Sequence, residues 1–213
     1  PKGDTLFDFF DQAFSGFLVN GVYGRLWRFS WLDQDCLHYV QMSGLLQEGL
    51  RAGRNNQSWL TFSQLTAAPE AAEEAAGWYD QVRYLMSGVM MSTLGQSALK
   101  AYRAETQRSL VLAAIGIRRY QRQTGGLPPD LKSLAPHFLE RAPVDYMDGQ
   151  PVRYRPGTNG AFLLYSVWED GKDDGGDARP LRDERPVRFF NGRDLVWPMP
   201  ASAEEIAEFK TRK

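Results

Sequence analysis

The feature that most constrains the fold of this chain is an abrupt change of composition after residue 124. Between Lys2 and Thr124 the only proline is Pro69, whereas ten of the 12 prolines in the chain follow Thr124. Helix interiors tolerate proline poorly, so the first part is predicted to be helical and the second to consist of short strands and turns. The pattern predicts an α+β fold.

Apolar residues at intervals of three and four predict three helices in the first part of the chain. The first apolar stripe runs from Val22 to Leu50, and Asn-Asn at 55–56 is expected to end its helix. The second stripe covers residues 72–93 and follows Pro69, because proline is favoured in a first helical turn. A third helix is predicted over residues 99–123, with its centre SLVLAAIGI buried on nearly all sides and its end at the double glycine that follows.

The part of the chain after the double glycine carries strand and turn signals. A short helix is predicted over residues 129–134, and strands are predicted at 152–155, 161–167, 187–190 and 195–197. The first two strands are separated by GTNG, a turn sequence that predicts a β-hairpin. Ser202 and Glu205 form the pattern of a capping box, which predicts a small helix over residues 203–210.

Charge and residue counts exclude several functional classes. The net charge is −1, so no basic field favours binding of nucleic acid. The single cysteine, Cys36, excludes intramolecular disulfides and argues against structural zinc. With only two histidines, His38 and His137, and no nucleophile elbow or phosphate-binding loop in the sequence, we expect a protein without enzymatic activity.

Aromatic residues are concentrated near the start of the chain, and most of them are expected to lie in the core of the helical region. Trp27 and Trp31 lie one helical turn apart and off the main apolar stripe. These two rings could cover a second surface, which is either the C-terminal domain, a partner protein or a groove for a ligand. They are therefore the candidate binding residues of the helical region.

The candidate metal site is the acidic stretch YSVWEDGKDDGGD at 165–177, which follows an apolar strand. Carboxylates and backbone carbonyls are the oxygen ligands that calcium prefers, and glycines let a short loop bring them together. The spacing differs from that of an EF-hand loop, and a solvated loop or a metal-dependent hydrolytic site are the alternatives. Five acids and three glycines make up this pattern: Glu169, Asp170, Asp173, Asp174 and Asp177, with Gly171, Gly175 and Gly176.

An ordered series of motifs over residues 99–177 resembles the globular domain of the major pseudopilins of type II secretion. In that family a long helix is followed by a G-x-[YL]-P turn, a short helix, a turn around D-P-x-G, a small antiparallel sheet and an acidic, glycine-rich loop. Here the turn reads GGLP at 125–128, the second turn reads PVDYMDG at 143–149, and QPVRY enters the sheet. Tyr146 stands where the family often has proline, and Trp168 stands where its loop pattern has glycine.

We expect two regions, a helical N-terminal half at residues 1–98 that packs on a pilin-like α+β domain at residues 99–213. The resemblance implies the long helix and the small antiparallel sheet of the second region, whereas residues 1–98 have no counterpart in that family. It also implies a structural calcium ion, because the acidic loop of that family binds calcium. The ligands that it implies are the carbonyl of Ser166 and the side chains or carbonyls of Asp170, Asp173, Asp174 and Asp177.

The resemblance further implies a non-enzymatic protein of the cell envelope, located in the periplasm or on the cell surface. Its longest uncharged runs are shorter than the ~20 residues of a membrane span, so a membrane anchor is expected in a segment outside this chain. An envelope or secretion-system protein is the expected partner, and no nucleic acid is expected. The alternative function is a ligand- or peptide-binding module that uses the aromatic helical half.

Overall fold

The computed structural model describes residues 21–22, 24–74, 77–157, 160–179 and 193–198. Helices occupy the first part of the chain, and a three-stranded antiparallel sheet of order β1-β2-β3 occupies the second. The predicted α+β fold is therefore confirmed. The predicted strand at 187–190 and the predicted helix at 203–210 lie outside the described residues.

The chain divides into two compact units. The first consists of Pro1–Glu48 and Thr66–Gln96, and the second consists of Gly49–Leu65 and Ser97–Lys213. The second unit thus contains the region 99–213 and, in addition, the helical stretch at Gly49–Leu65, which comes much earlier in the sequence.

The helices follow one another with few connecting residues. A helical turn at Gly24–Leu26 and a π-helix at Trp27–Trp31 lead into the first long helix. The four longer α-helices are α1 at Leu32–Asn56, α2 at Trp59–Glu74, α3 at Trp78–Arg83 and α4 at Leu85–Thr124. Within the part of the chain that the structure describes, no helix has both the length and the apolar composition that crossing a bilayer requires.

The second helix begins earlier than the sequence pattern predicts. The backbone N–H of Thr61 donates to Oγ of Ser58 at 3.2 Å, so Ser58 caps a helix that begins at Trp59 and runs through Pro69. The interruption falls instead at Gly77, whose backbone is extended. The prediction of one helix over 72–93 was wrong because a serine cap and a glycine break outweigh the proline signal.

The third predicted helix corresponds to α4, which begins 14 residues before Leu99 and ends at Thr124, as expected. Gly125 follows with a φ of 80°, a left-handed conformation that glycine adopts at low cost. The prediction that the centre of this helix is buried on nearly all sides was wrong. Its inward face is buried, whereas Leu112 and Ile115 are 39% and 49% exposed.

The sheet is formed by a hairpin and one further strand. Strand β1, Arg153–Pro156, pairs antiparallel with β2, Phe162–Ser166, as the predicted hairpin requires. Strand β3, Leu195–Trp197, pairs with the other edge of β2, so that Ser166 is opposite Leu195. The predicted short helix is the single 3₁₀ turn Lys132–Leu134. The core between helix and sheet contains Leu110, Ile117, Leu134, Met147, Leu164, Val167, Trp168 and Leu195.

The stretch Gly49–Leu65 is joined to the rest of the second unit through its backbone. The N–H groups of Trp59 and Leu60 donate to the carbonyls of Tyr146 and Met147, each at 2.9 Å. Gly149 approaches the same stretch so closely that an added Cβ would lie 2.5 Å from the carbonyl oxygen of Asn56. The turn after Val144 is therefore one of the contacts that hold this early helical stretch, together with the packing of Trp59 and Phe62 on Tyr102.

Replacing Gly149 by alanine is predicted to destabilise the second unit more than the same change at Gly125. Both glycines have a φ near 80°, so both variants pay the left-handed strain of about 1–2 kcal/mol. At Gly149 the added Cβ meets the backbone of Asn56, and such overpacking destabilises by a further ~1–3 kcal/mol. At Gly125 nothing lies within 4 Å of an added Cβ, so this second cost is absent. Urea unfolding of both variants measures the difference, and equal losses would contradict the close approach.

Candidate functional site

The region around the acidic loop is organised by the carboxylate of Asp145, which is fully buried. One oxygen accepts hydrogen bonds from the backbone N–H of Met147 at 3.0 Å and the hydroxyl of Ser166 at 2.8 Å. The other accepts from the N–H of Val167 and from Nη1 of Arg153, both at 3.0 Å. One side chain thus ties the turn that follows it to strand β1 and to the end of β2.

Burial raises the pKa of Asp145 to about 6 from its ordinary value of 3.8, because a low-dielectric interior disfavours the charged carboxylate. Hydrogen bonds from Met147, Ser166 and Val167 act in the opposite direction and limit the increase. The folded protein therefore binds a proton at Asp145 over a pH range in which the unfolded chain does not.

The free energy of unfolding is predicted to fall as the pH rises from about 4 to about 6. In this window the folded state holds the proton of Asp145 and the unfolded state has released it, so raising the pH favours unfolding, by up to roughly 3 kcal/mol. Urea unfolding at a series of pH values measures the slope. Asp145→Asn should reduce it, whereas the exposed Asp130→Asn should leave it unchanged; a slope retained in Asp145→Asn would refute the assignment.

Several residues of the loop after β2 adopt a left-handed backbone conformation. Gly171, Gly175 and Gly176 have φ values of 66°, 74° and 87°. Trp168 also has a positive φ, of 56°, although its indole is buried and lies beneath the guanidinium of Arg103, at 5.8 Å from the ring centroid. The tryptophan thus stands where the pseudopilin pattern has glycine and still adopts a conformation that favours glycine.

The loop closes onto the residues just before strand β3. The N–H of Asp194 donates to the carbonyl of Asp177, and that of Arg193 donates to the carbonyl of Arg179, each at 3.0 Å. In return, Oδ2 of Asp194 accepts the N–H groups of Gly176 at 2.7 Å and Asp177 at 3.2 Å. Asp194 is 2% exposed and lies against the loop.

The second carboxylate oxygen of Asp194, Oδ1, is buried and accepts no hydrogen bond of normal geometry from the described residues, although the backbone N–H of Asp174 lies close enough to the carboxyl group to lower its pKa. Burial raises the pKa of this carboxyl group, and the nearby charge of Asp173 adds to the increase, while loop amides oppose it. A buried carboxylate oxygen without a donor carries a desolvation cost. A hard cation at this oxygen would remove that cost.

The predicted calcium ligands fall into two groups according to their partners. The hydroxyl of Ser166 is committed to Asp145, and the carboxylate of Asp177 accepts both the backbone N–H and the guanidinium of Arg179, at 2.7–3.0 Å. The guanidinium lowers the pKa of Asp177 to about 2. Because a guanidinium engages Asp177, its side chain is less available to a metal ion than the exposed side chains of Asp173 and Asp174.

The remaining predicted ligands lie on the outer part of the loop. Asp170 accepts the N–H of Lys172 at 3.1 Å. Asp173 accepts the hydroxyl of Tyr165 and the N–H of Gly175, each at 2.9 Å, and the amide of Gly175 is the main cause of its lowered pKa. Asp174 has an exposed side chain. Over the described residues, no group of three histidine, cysteine, aspartate or glutamate side chains is arranged to hold a metal ion.

Asp194 was not among the predicted site residues, although the sequence contains a signal for its position beside the loop. Strand β3 pairs antiparallel with β2, so the residues before β3 lie beside the residues that follow β2. An aspartate directly before the apolar LVW is therefore placed next to the loop. Asp145 was included only as part of a turn, and its burial depends on contacts distant in sequence.

The candidate binding residues Trp27 and Trp31 lie in the first unit and are both half-buried. Nε1 of Trp27 donates to Oδ2 of the buried Asp35 at 2.7 Å, and Oδ1 of the same carboxylate accepts the N–H of Ser87 at 3.1 Å. Trp31 contacts Tyr79 edge-on, with ring centroids 5.8 Å apart. Both tryptophans therefore have contacts with residues of the first unit. A ligand groove at the two rings stays a prediction.

Comparison with known proteins gives no match: no protein-family model, curated protein sequence or solved structure matches this chain. The likeness to major pseudopilins stays a prediction that depends on the motifs within residues 99–177.

Proposed function

We propose that this chain is a non-enzymatic, pseudopilin-like protein of the cell envelope whose acidic loop binds a structural calcium ion. The observation that carries the calcium proposal is the buried oxygen Oδ1 of Asp194, which accepts no hydrogen bond of normal geometry from the described part of the chain. It belongs to a carboxylate that the loop itself encloses through the N–H groups of Gly176 and Asp177.

The type of oxygen ligand in and beside the loop is the type that calcium prefers, although the described carboxylates are not gathered around one point in this structure. Calcium takes six to eight oxygen ligands from carboxylates, carbonyls and water, and it tolerates irregular geometry. Asp194 would supply a buried carboxylate oxygen, and the exposed Asp174 together with Asp170 and Asp173 would supply further oxygens from the loop. Ser166 would contribute its carbonyl, as the pseudopilin resemblance implies.

The ion would act on stability, since it offsets the mutual repulsion of the loop carboxylates and the desolvation of Asp194. A ligand that binds only the folded state stabilises it by mass action, by ~2.7 kcal/mol at a hundredfold excess over the dissociation constant. No reaction is required of the ion, and its role would be to hold the loop against strand β3.

Calcium is predicted to raise the melting temperature of the chain, and a chelator is predicted to lower it. For a chain of this size, ~2.7 kcal/mol corresponds to a shift of about 5–10 °C at a hundredfold excess of calcium. Asp194→Asn should abolish the shift, because the amide keeps an oxygen for the loop N–H groups but removes the charge and the second acceptor. Thermal unfolding followed by circular dichroism, with calcium or with EGTA, measures the effect.

The matched control for this experiment is Asp130→Asn. It makes the same change of charge in the second unit, at an exposed residue whose Oδ1 accepts the N–H of Ser133, outside the loop. Its calcium response should equal that of the unaltered chain. Equal melting temperatures of the unaltered chain with calcium and with EGTA would refute the calcium proposal.

The envelope part of the proposal is supported by the order of elements in the second unit. Helix α4, the glycine turn after it, the 3₁₀ turn, the hairpin and the acidic loop follow in the sequence that the pseudopilin resemblance requires. The partner would be an envelope or secretion-system protein, and the membrane anchor would lie in a segment outside this chain.

The full-length protein that carries this chain is predicted to be located in the cell envelope. Cell fractionation, with protease added to intact cells and to cells with a permeabilised outer membrane, measures where the chain lies. Protection from protease in both preparations, together with recovery in the soluble cytosolic fraction, would refute the envelope assignment. That outcome would leave the calcium experiment unaffected, since calcium binding is tested on the isolated chain.

A further inference from the structure

A groove lies on the surface of the second unit, between helix α4 and the sheet, and its volume is about 360 Å³. Trp197 of β3 is opposite Leu164, and residues 162 and 164 lie on one face of β2, so the aromatic rings of Phe162 and Trp197 come from the same face of the sheet. The apolar part of the lining consists of Val111, Ala114, Ile115, Phe162, Trp197 and Pro198.

Three arginines from the last two turns of α4 line the same groove, namely Arg118, Arg119 and Arg122. Along α4 the apolar lining residues come first, at 111–115, and the arginines follow. The helical side of the groove is therefore about 16 Å long, apolar at one end and basic at the other.

The basic end of the groove favours a negatively charged group. Arg118 is held in place, because its Nη1 donates to Oε1 of Gln121 at 2.7 Å and to the carbonyl of Gly160 at 3.3 Å, while its guanidinium lies over the ring of Phe162. Arg119 and Arg122 are exposed. In the described ranges, none of these three guanidinium groups is paired with a carboxylate. Their charges outweigh the negative end of the helix dipole, which is equivalent to about half a charge.

The size of the groove favours a small molecule over a partner protein. A stable protein interface takes about 20–30 residues from each side, whereas nine residues line this groove. Its volume lies within the range of about 300–1,000 Å³ that is usual for small-molecule sites, which are mostly apolar and contain a few polar groups that fix the orientation of the ligand.

We propose that this groove binds a single-chain apolar carboxylate of the fatty-acid class, with its chain against Ile115 and Trp197 and its carboxylate beside the arginines of α4. Guanidinium groups bind carboxylates through paired, charge-assisted hydrogen bonds, and burial of the chain removes apolar surface of both partners from water. This site is separate from the calcium proposal, because none of the predicted calcium ligands lines the groove. Failure of one proposal therefore leaves the other intact.

Isothermal titration of the full chain with dodecanoate, kept below its micelle-forming concentration, tests the proposal. Dodecanoate should bind at one saturable site. Decanoate should bind about tenfold more weakly, because two fewer methylene groups are buried. Dodecanol should also bind at least about tenfold more weakly, because it lacks the carboxylate that the arginines engage.

A charge placed at the apolar end of the groove tests where the chain lies. Ile115→Asp should weaken dodecanoate binding at least about tenfold, because a carboxylate there repels the ligand and would have to lose water. The matched control is Leu112→Asp, at another exposed apolar residue of α4 that does not line the groove, and its affinity should equal that of the unaltered chain. Circular dichroism checks that both variants are folded.

Reversal of charge tests the arginines separately. Arg119→Glu with Arg122→Glu should weaken dodecanoate binding about fivefold, because each exposed pair contributes a modest attraction. The control, Lys100→Glu with Arg141→Glu, makes the same change of net charge at exposed residues outside the groove and should leave the affinity unchanged.

Four results would overturn the proposal: no saturable binding of dodecanoate, equal affinities for dodecanoate and dodecanol, unchanged binding in the folded Ile115→Asp variant, or binding to phosphatidylglycerol vesicles without binding of monomeric dodecanoate. The last result would assign the basic end of the groove to a membrane surface. The comparison of the three ligands uses the unaltered chain, so it decides the proposal even where a variant fails to fold.

Discussion

The buried carboxylate of Asp145 is the interaction on which the rest of the second unit depends. A buried charge is costly unless hydrogen bonds and an opposite charge compensate it, so its partners have to be held in place together. Two of those partners are the turn amide of Met147 and the guanidinium of Arg153 on β1. The other two are the hydroxyl of Ser166 at the end of β2 and the amide of Val167 directly after it. The turn, the hairpin and the start of the acidic loop are thus positioned by one group.

The same network reaches the candidate calcium loop through Ser166. Its hydroxyl donates to Asp145 and accepts the N–H of Trp168 at 3.1 Å, so the first turn of the loop is fixed by the carboxylate beneath it. Trp168 then adopts a positive φ that a non-glycine residue tolerates only where the surroundings compensate it. Burial of the indole in the core supplies that compensation, which explains how a tryptophan occupies a position suited to glycine.

Local signals in the sequence were sufficient to predict the class of fold and the ends of several helices and strands. The stop of α4 at Gly125 and the bounds of β3 follow from a left-handed glycine and from an apolar tripeptide between turns. Tertiary contacts account for what was missed. The stretch Gly49–Leu65 joins the second unit through hydrogen bonds to Tyr146 and Met147, which are more than 80 residues away and leave no local pattern.

The acidic loop shows why composition alone could not define a site. Five acids look equivalent in the sequence, yet the structure distinguishes them by their partners. The guanidinium of Arg179 neutralises Asp177, and the hydroxyl of Tyr165 and an amide engage Asp173. Oδ1 of Asp194, which lies outside this stretch, is buried without a hydrogen bond from the described residues. A cation is attracted to the oxygens whose charge is least compensated. Under the calcium proposal, the ligand set would depend on which carboxylates lack donors, and Asp194 comes to lie beside the loop only because β3 pairs with β2.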